Sequence, residues 1–350
     1  MTERIRENIR LLLPAYFALV MATGIVSIAL HLTGFKSLAV GLLLLNIVFF
    51  VLLFIALLIR IIFYFPFVLN DLKSYQKGPG FFTFVAATAI LANQIIIFYH
   101  VNKWVLILFG IALFAWVLIT YSFFYFITIN ENKQGLEKGI NGTWLVVIVA
   151  TQALSTLFTS VANQSFFNTE FFLFISLCLF FSGALLYLYI MSLIIHRLSF
   201  FQLRADELGA PYWINMGATA ITTLAGSLLI LKSDEIPLLQ ELLPFTKAFT
   251  LLYWAGGTWW IPLLLLLGAW RHLKIKIPLP SSLEGYHPSY WGMVFPLGMY
   301  TVCTYRLSQA LELPFLKIIP HYFIYLAIFA WVAVLIGFLR NFLGGLKSGN

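Results

Sequence analysis

The sequence predicts an all-α membrane protein: ten transmembrane helices, paired as five helical hairpins around a central pore. Three observations carry that prediction. Hydrophobic residues make up 61% of the chain and charged residues 10%, where a soluble domain carries about a quarter charged residues. Ten stretches reach the ~20 mostly apolar residues that a bilayer span requires. A short motif also recurs at the start of every second stretch.

The ten stretches are 11–32, 37–64, 81–99, 104–129, 141–162, 169–195, 212–231, 248–270, 291–311 and 317–340. Helices are the economical form for them, because open strands leave backbone groups unpaired in lipid. The links after the first, third and fifth stretches are a few residues long, which makes antiparallel hairpins. The expected organisation is a cytoplasmic N-terminus over 1–10, a ten-helix domain over 11–340 and a cytoplasmic C-terminus over 341–350. MTERIRENIR precedes the first apolar run with no A-x-A-like cleavage site after it, so that run reads as a retained helix.

The repeat is PAYFALVMATG from Pro14, GFFTFVAATA from Gly80, GTWLVVIVATQ from Gly142, PYWINMGATA from Pro211 and SYWGMVFPLG from Ser289. Phe17, Phe82, Trp144, Trp213 and Trp291 align, at separations of 65, 62, 69 and 78 residues. Six positions on stand Thr23, Thr88, Ala150, Thr219 and Leu297. Even stretches are rich in Leu, Ile and Phe all round, as a lipid-facing helix requires. Odd stretches hold more Gly, Ala, Thr, Ser and Asn, which suits close packing or a pore lining. Odd helices inside and even helices outside give a two-layered bundle.

Basic residues set the orientation. The N-terminus, the loops after even helices and the C-terminus carry fifteen: Arg4, Arg6, Arg10, Arg60, Lys73, Lys77, Lys133, Lys138, Arg197, Arg204, Arg271, Lys274, Lys276, Arg340 and Lys347. The other side carries five: Lys36, Lys103, Lys232, Lys247 and Lys317. Both termini are therefore expected in the cytoplasm. The split accounts for most of the net charge of +8, so the basic balance does not call for nucleic acid.

No nucleotide-binding, zinc-protease or C-x-x-C motif is present. Cys178 and Cys303 sit inside apolar runs, against a disulfide framework or metal knuckle. No Asp or Glu lies deep in a predicted helix, and His31, His100, His196, His272, His287 and His321 fall at helix ends or in loops. Proton relays and cation sites need ionisable groups within the membrane, so those functions and membrane-embedded catalysis are disfavoured. No cofactor, metal or catalytic residue is expected.

Candidate pore-lining residues come from the repeat and from helix breakers. Four positions after the aligned aromatics stand Met21, Ala86, Ile148, Gly217 and Phe295; Thr23, Thr88 and Thr219 follow two residues later, and Gly24 and Pro296 could kink the lining. Phe295 is the aromatic of its level, readable as a plug or as a packing residue beside Pro296. At 100° per residue, Met299, Val302 and Arg306 share its face. Arg306 then either faces the pore near the outer mouth or snorkels to the interface.

NGTWLVVIVATQ, APYWINMGATAITTLAG, YWAGGTWWIPLLLLLGAWR and WGMVFPLGMYTVCTY together resemble the tellurite-resistance/dicarboxylate transporter family. It includes TehA-type bacterial channels, plant guard-cell slow anion channels, and fungal malate and sulfite transporters. The resemblance runs over nearly the whole chain. It implies a pore lined by odd helices, often one per subunit of a trimer, and a phenylalanine plugging it from the ninth helix, matched by Phe295. The resulting expectation is a channel or facilitator for small inorganic or organic anions in the inner (cytoplasmic) membrane. The alternatives are a secondary carrier or exporter for C4-dicarboxylates such as malate, for sulfite or for tellurite-related anions, and a polytopic membrane enzyme or structural component.

The charge split makes a topology prediction. A cysteine placed at Ser233 is expected to react with an impermeant thiol reagent added outside the cell, and one at Ser281 to be protected; the opposite preference would reverse the orientation.

Overall fold

The computed structural model describes residues 3–164, 166–275, 280–282 and 285–347. Among the described residues there are helices and turns and no strand. Ten long helices follow one another among the described residues: α1 Ala18–Leu32, α2 Lys36–Phe63, α3 Phe82–Tyr99, α4 Lys103–Ile129, α5 Val146–Val161, α6 Thr169–Phe200, α7 Ile214–Ile230, α8 Leu243–Ile275, α9 Trp291–Ala310 and α10 Ile318–Lys347. α10 therefore runs beyond the boundary expected at 340, and a short helix, Glu3–Arg10, occupies most of the expected N-terminal tail.

Each odd helix opens with a 3-10 turn: Pro14–Phe17, Gly78–Phe81, Gly142–Leu145, Ala210–Trp213 and Pro288–Tyr290. Four of the five have Pro at the first or second position. Proline fits there because its fixed φ suits the first turn and its missing N–H would have no partner anyway. This is the physical content of the small-or-Pro residue that begins each repeat.

The odd helices touch one another in a closed cycle, α1 to α3 to α5 to α7 to α9 and back to α1, and the five 3-10 turns form a second closed cycle. All five inner helices therefore start at one end and run parallel. The ring of turns is tight enough to specify glycine: a Cβ on Gly142 would lie 2.4 Å from the Pro211 carbonyl oxygen. Each inner helix also packs on the even helix that follows it.

Burial separates the layers. Across their most apolar windows, α1, α3, α5 and α7 with their turns are 72–94% buried, and the even helices 17–50%. By length and composition nine segments of the described residues could cross a membrane, and α9 is not among them. It has 20 residues, but Tyr300, Thr301, Thr304, Arg306, Ser308 and Gln309 dilute its apolarity. Enclosed by α1, α7 and α10, α9 does not need a lipid-compatible surface.

Arginines fasten the N-terminal end of the outer layer. Arg60, at the end of α2, pairs with Asp71 at 2.6 Å and donates through Nε to the Arg10 carbonyl at 3.1 Å. Arg197, near the end of α6, bonds Glu207 at 3.1 Å, the Glu137 carbonyl at 2.6 Å and the Tyr212 hydroxyl. Arg271 donates to the Ala205 carbonyl and Arg340 to that of Ser281. The residues counted for orientation thus also tie down the links between hairpins.

Breaking a buried ion pair by deleting one partner costs ~3–5 kcal/mol, and the Arg60 side chain is 2% exposed. Arg60→Ala is expected to lower the thermal unfolding temperature in detergent markedly. Lys77→Ala removes a pair whose lysine is 53% exposed and is expected to change it little, at most ~1 kcal/mol.

Candidate functional site

All five inner helices contribute to one cavity of about 210 Å³, in the half of the ring away from the N-terminus. Its lining has helical spacing. α9 supplies Met299, Val302 and Arg306; α7 supplies Ile221, Leu224 and Leu228; α3 supplies Ile90, Asn93, Ile96 and Ile97; α1 supplies Ile25 and Ile28; α5 supplies Thr156 and Ser160. Steps of three and four mark one face of a helix.

One turn nearer the N-terminal end, the same stripes carry Met21, Ala86, Gly217 and Phe295. These residues are buried, with Phe295 1% exposed, and they are not part of the cavity lining. The Phe295 ring lies against α7: a Cβ on Gly217 would be 3.0 Å from Phe295 Cε1 and 3.0 Å from Pro296 Cγ. Glycine at 217 makes room for the ring. Pro296 has no N–H for the carbonyl four residues back, at Gly292, and its ring completes the contact with α7.

The structure places the remaining sequence candidates elsewhere. Thr23 accepts a hydrogen bond from Trp331 Nε1 of α10 at 3.1 Å. Gly24 faces α2 and α3, where an added Cβ would lie 2.9 Å from both Asn46 Nδ2 and Ile90 Cγ2. Thr219 lies against Gly257 of α8, and Thr88 is bonded to the Phe84 carbonyl of its own helix at 2.7 Å. None of the four lines the cavity. Two further threonines behave like Thr23: Thr151 accepts from Trp116 of α4 at 3.0 Å, and Thr304 from Trp254 of α8 at 2.9 Å. Two of the four Ala-Thr threonines of the repeat, Thr23 and Thr151, thus fasten the inner layer to the outer by hydrogen bonds, whereas Thr88 and Thr219 bond carbonyls of their own helices. Hydroxyl to indole bonds suit a membrane interior, where each satisfies polar atoms that lipid cannot.

Ile148 is fully buried and its helix is out of step. The other helices use positions four, seven and eleven past the aligned set, with Ile96 of α3 at ten, whereas Thr156 and Ser160 stand eight and twelve past Ile148. The stripe of α5 is offset by one residue, so helical register puts Val149, seven before Thr156, on its line.

Asn93, Thr156 and Ser160 are the polar lining that the sequence reading missed. Asn93 Nδ2 donates to Thr156 Oγ1 at 3.2 Å and to the Ala89 carbonyl at 3.1 Å, and its Oδ1 accepts from Ser160 Oγ at 2.6 Å. The steps from Phe295 to Met299, Val302 and Arg306 lead equally from Ala86 to Ile90, Asn93 and Ile97, so the signal for Asn93 was present. Among the described residues Arg306 is the charged group of the lining. Its Nη1 donates to Gln309 Oε1 at 3.0 Å, and no carboxylate bonds it.

The sequence profile of the SLAC1 voltage-dependent anion channel family matches residues 12–339. The chain belongs to that family. It is similar to an uncharacterized transporter of Methanocaldococcus jannaschii, with 23% identity over 347 residues, 94% of this chain and 93% of the relative. A second uncharacterized transporter of that organism is 24% identical over 164 residues, 47% of this chain and 45% of the relative. An uncharacterized membrane protein of Mycobacterium tuberculosis is 35% identical over 156 residues, 45% of this chain and 76% of the relative. Membership in the voltage-dependent anion channel family makes this a membrane anion channel or transporter.

The two kinds of polar residue separate experimentally. Thr23→Val loses an interhelical hydrogen bond worth roughly 0.6–1.7 kcal/mol in membranes; it is expected to lower thermal stability and leave anion flux per folded protein unchanged. Asn93→Leu, in the cavity wall, is expected to reduce flux by disordering the Thr156 and Ser160 hydroxyls. Equal effects of the two variants on flux would count against this division.

Proposed function

We propose that the chain is an anion channel in which ions cross along the axis of the five-helix ring, with Phe295 as the closed gate and Arg306 as the fixed cation of the mouth away from the N-terminus. The observation that carries this reading is the position of Phe295, packed on Gly217 one turn before the first cavity-lining residues of α1, α3, α7 and α9. Hydrophobic constrictions close pores by dewetting, and the other residues of that level, Met21, Ala86 and Gly217, carry no second ring.

Electrostatics favours anions at both ends. Five parallel helices aim their N-termini at one mouth, and each helix carries roughly half a positive charge there. Their C-termini bring the opposite partial charge to the far mouth, where Arg306 offsets it. A unit charge at ~8 Å with an effective dielectric of ~20 is worth roughly 2 kcal/mol, on the order of tenfold in local anion concentration after screening. One cation in a small cavity suits a small anion better than an extended dicarboxylate, whose second charge would have no partner among the lining residues. In this reading both termini lie on the cytoplasmic side of the cytoplasmic membrane.

Planar-bilayer currents test the proposal. Phe295→Ala is expected to raise anion conductance several-fold. Arg306→Ala is expected to lower conductance or anion-over-cation selectivity, most strongly at low ionic strength, where screening is weak. Unchanged currents in a folded Phe295→Ala protein would end the gate assignment. Uptake that collapses with a protonophore at clamped membrane potential would replace the channel by a proton-coupled carrier.

A further inference from the structure

At the end of the molecule that carries the N-terminus lies a second pocket, of about 160 Å³, outside the five-helix ring and unused by the permeation scheme. Its wall is built by the 3-10 turn before α7, the last third of α8 and the start of α9. Leu264, Leu267 and Met293 give it an apolar floor, and Tyr212, Trp213 and Tyr290 an aromatic rim. Arg271 stands at its edge, half-buried.

The hydrogen bonding of Arg271 sets it apart. Arg60 and Arg197 of the same end are matched by Asp71 and Glu207. Arg271 donates through Nε to the Ala205 carbonyl at 3.1 Å, and among the described residues no acceptor meets its two Nη groups. The acids of the neighbouring link are engaged elsewhere, Asp206 by Arg204 at 2.8 Å and Glu207 by Arg197 at 3.1 Å. A half-buried guanidinium with a free donor edge is a site for a planar or tetrahedral oxyanion.

We propose that this pocket binds the headgroup phosphate of an anionic phospholipid from the leaflet on the N-terminal side, with the glycerol and upper acyl chain on the α8 face. Two features favour a lipid over free phosphate. Tyr and Trp mark the depth of the headgroup region, and basic pockets between transmembrane helices at that depth accept anionic headgroups. The floor is also continuous with the exposed apolar face of α8, where Leu265 and Leu266 are 57% and 69% exposed; a free anion would gain nothing from that surface. Trp213 and Tyr290 end the turns from which α7 and α9 carry Gly217 and Phe295 into contact, so a lipid seated here bears on both helices.

Native mass spectrometry of the full chain in detergent, with phosphatidylglycerol and phosphatidylcholine added in equal amounts, tests the site without reference to conduction. The wild type is expected to retain phosphatidylglycerol several-fold in excess. Arg271→Gln is expected to bring that ratio to about one. Gly268→Leu approaches the site differently: Gly268 lines the pocket, and a Cβ there meets no atom within 4 Å. The leucine side chain should fill the pocket without disturbing the fold and displace the lipid while Arg271 remains. Lys274→Gln, an exposed cation on the same helix, is expected to leave the ratio unchanged. Equal retention of the two lipids by the wild type would overturn the proposal, as would retention unaffected in both pocket variants, or lost equally in Lys274→Gln. Displacement of the phosphatidylglycerol by millimolar inorganic phosphate would assign the pocket to a free anion and overturn it too.

Discussion

Five helices that all begin at one face of a bilayer cannot be joined by short loops; each needs a second span to bring the chain back. The parallel ring of α1, α3, α5, α7 and α9 therefore imposes an even helix after every inner one. Those return helices become a shell, because they are what stands between the ring and lipid. Once shielded, inner helices can carry Thr, Ser, Asn, Gln and even Arg306 at membrane depth, which an isolated lipid-facing helix could not sustain. The low hydropathy of α9 and the cavity polarity both follow from this arrangement.

Parallel packing has an electrostatic consequence as well. Antiparallel neighbours cancel their dipoles, whereas five aligned inner helices concentrate partial positive charge at the mouth ringed by the 3-10 turns. The return helices point the other way, but they end further from the axis. In the proposed pore the backbone thus favours anions at one mouth without help from a charged side chain, and the arginine of the cavity stands at the other. A pore of this kind can attract anions without holding them tightly, since permeation requires that binding be weak enough to leave.

The polar side chains divide into two populations that composition alone does not separate. Thr23, Thr151 and Thr304 accept indole donors from the outer layer, while Gln152 donates to the Phe180 carbonyl of α6 and Asn215 accepts from Tyr187. These bonds fix the rotation of each inner helix against its shell. That rotation decides which stripe faces the axis, so residues far from the cavity determine its chemistry. The arginines near the C-terminal ends of α2, α6 and α10 do the corresponding work for the links, clamping Asp71, Glu207 and the Ser281 carbonyl.

The amino-acid sequence by itself determined the all-helical membrane architecture, because its long apolar runs match the ~20 residues of a spanning helix and not the ~10 of a barrel strand. It also marked the inner helices, through the Pro and Gly that their opening turns require, and it put Phe295, Met299, Val302 and Arg306 on one stripe of α9 through helical periodicity. Tertiary structure decided which face of each inner helix looks inward. Those helices are buried all round, so their hydrophobic pattern does not distinguish axis from shell, and a repeat alignment one residue out of step selects Ile148 where register points to Val149. Thr23 and Thr219 read as lining from the repeat and Gly24 as a helix breaker; packing sets them against Trp331, Gly257 and Asn46. Asn93, Thr156 and Ser160 meet across α3 and α5 through contacts that no spacing along one helix can specify, since helix rotation is set by side chains from other parts of the chain.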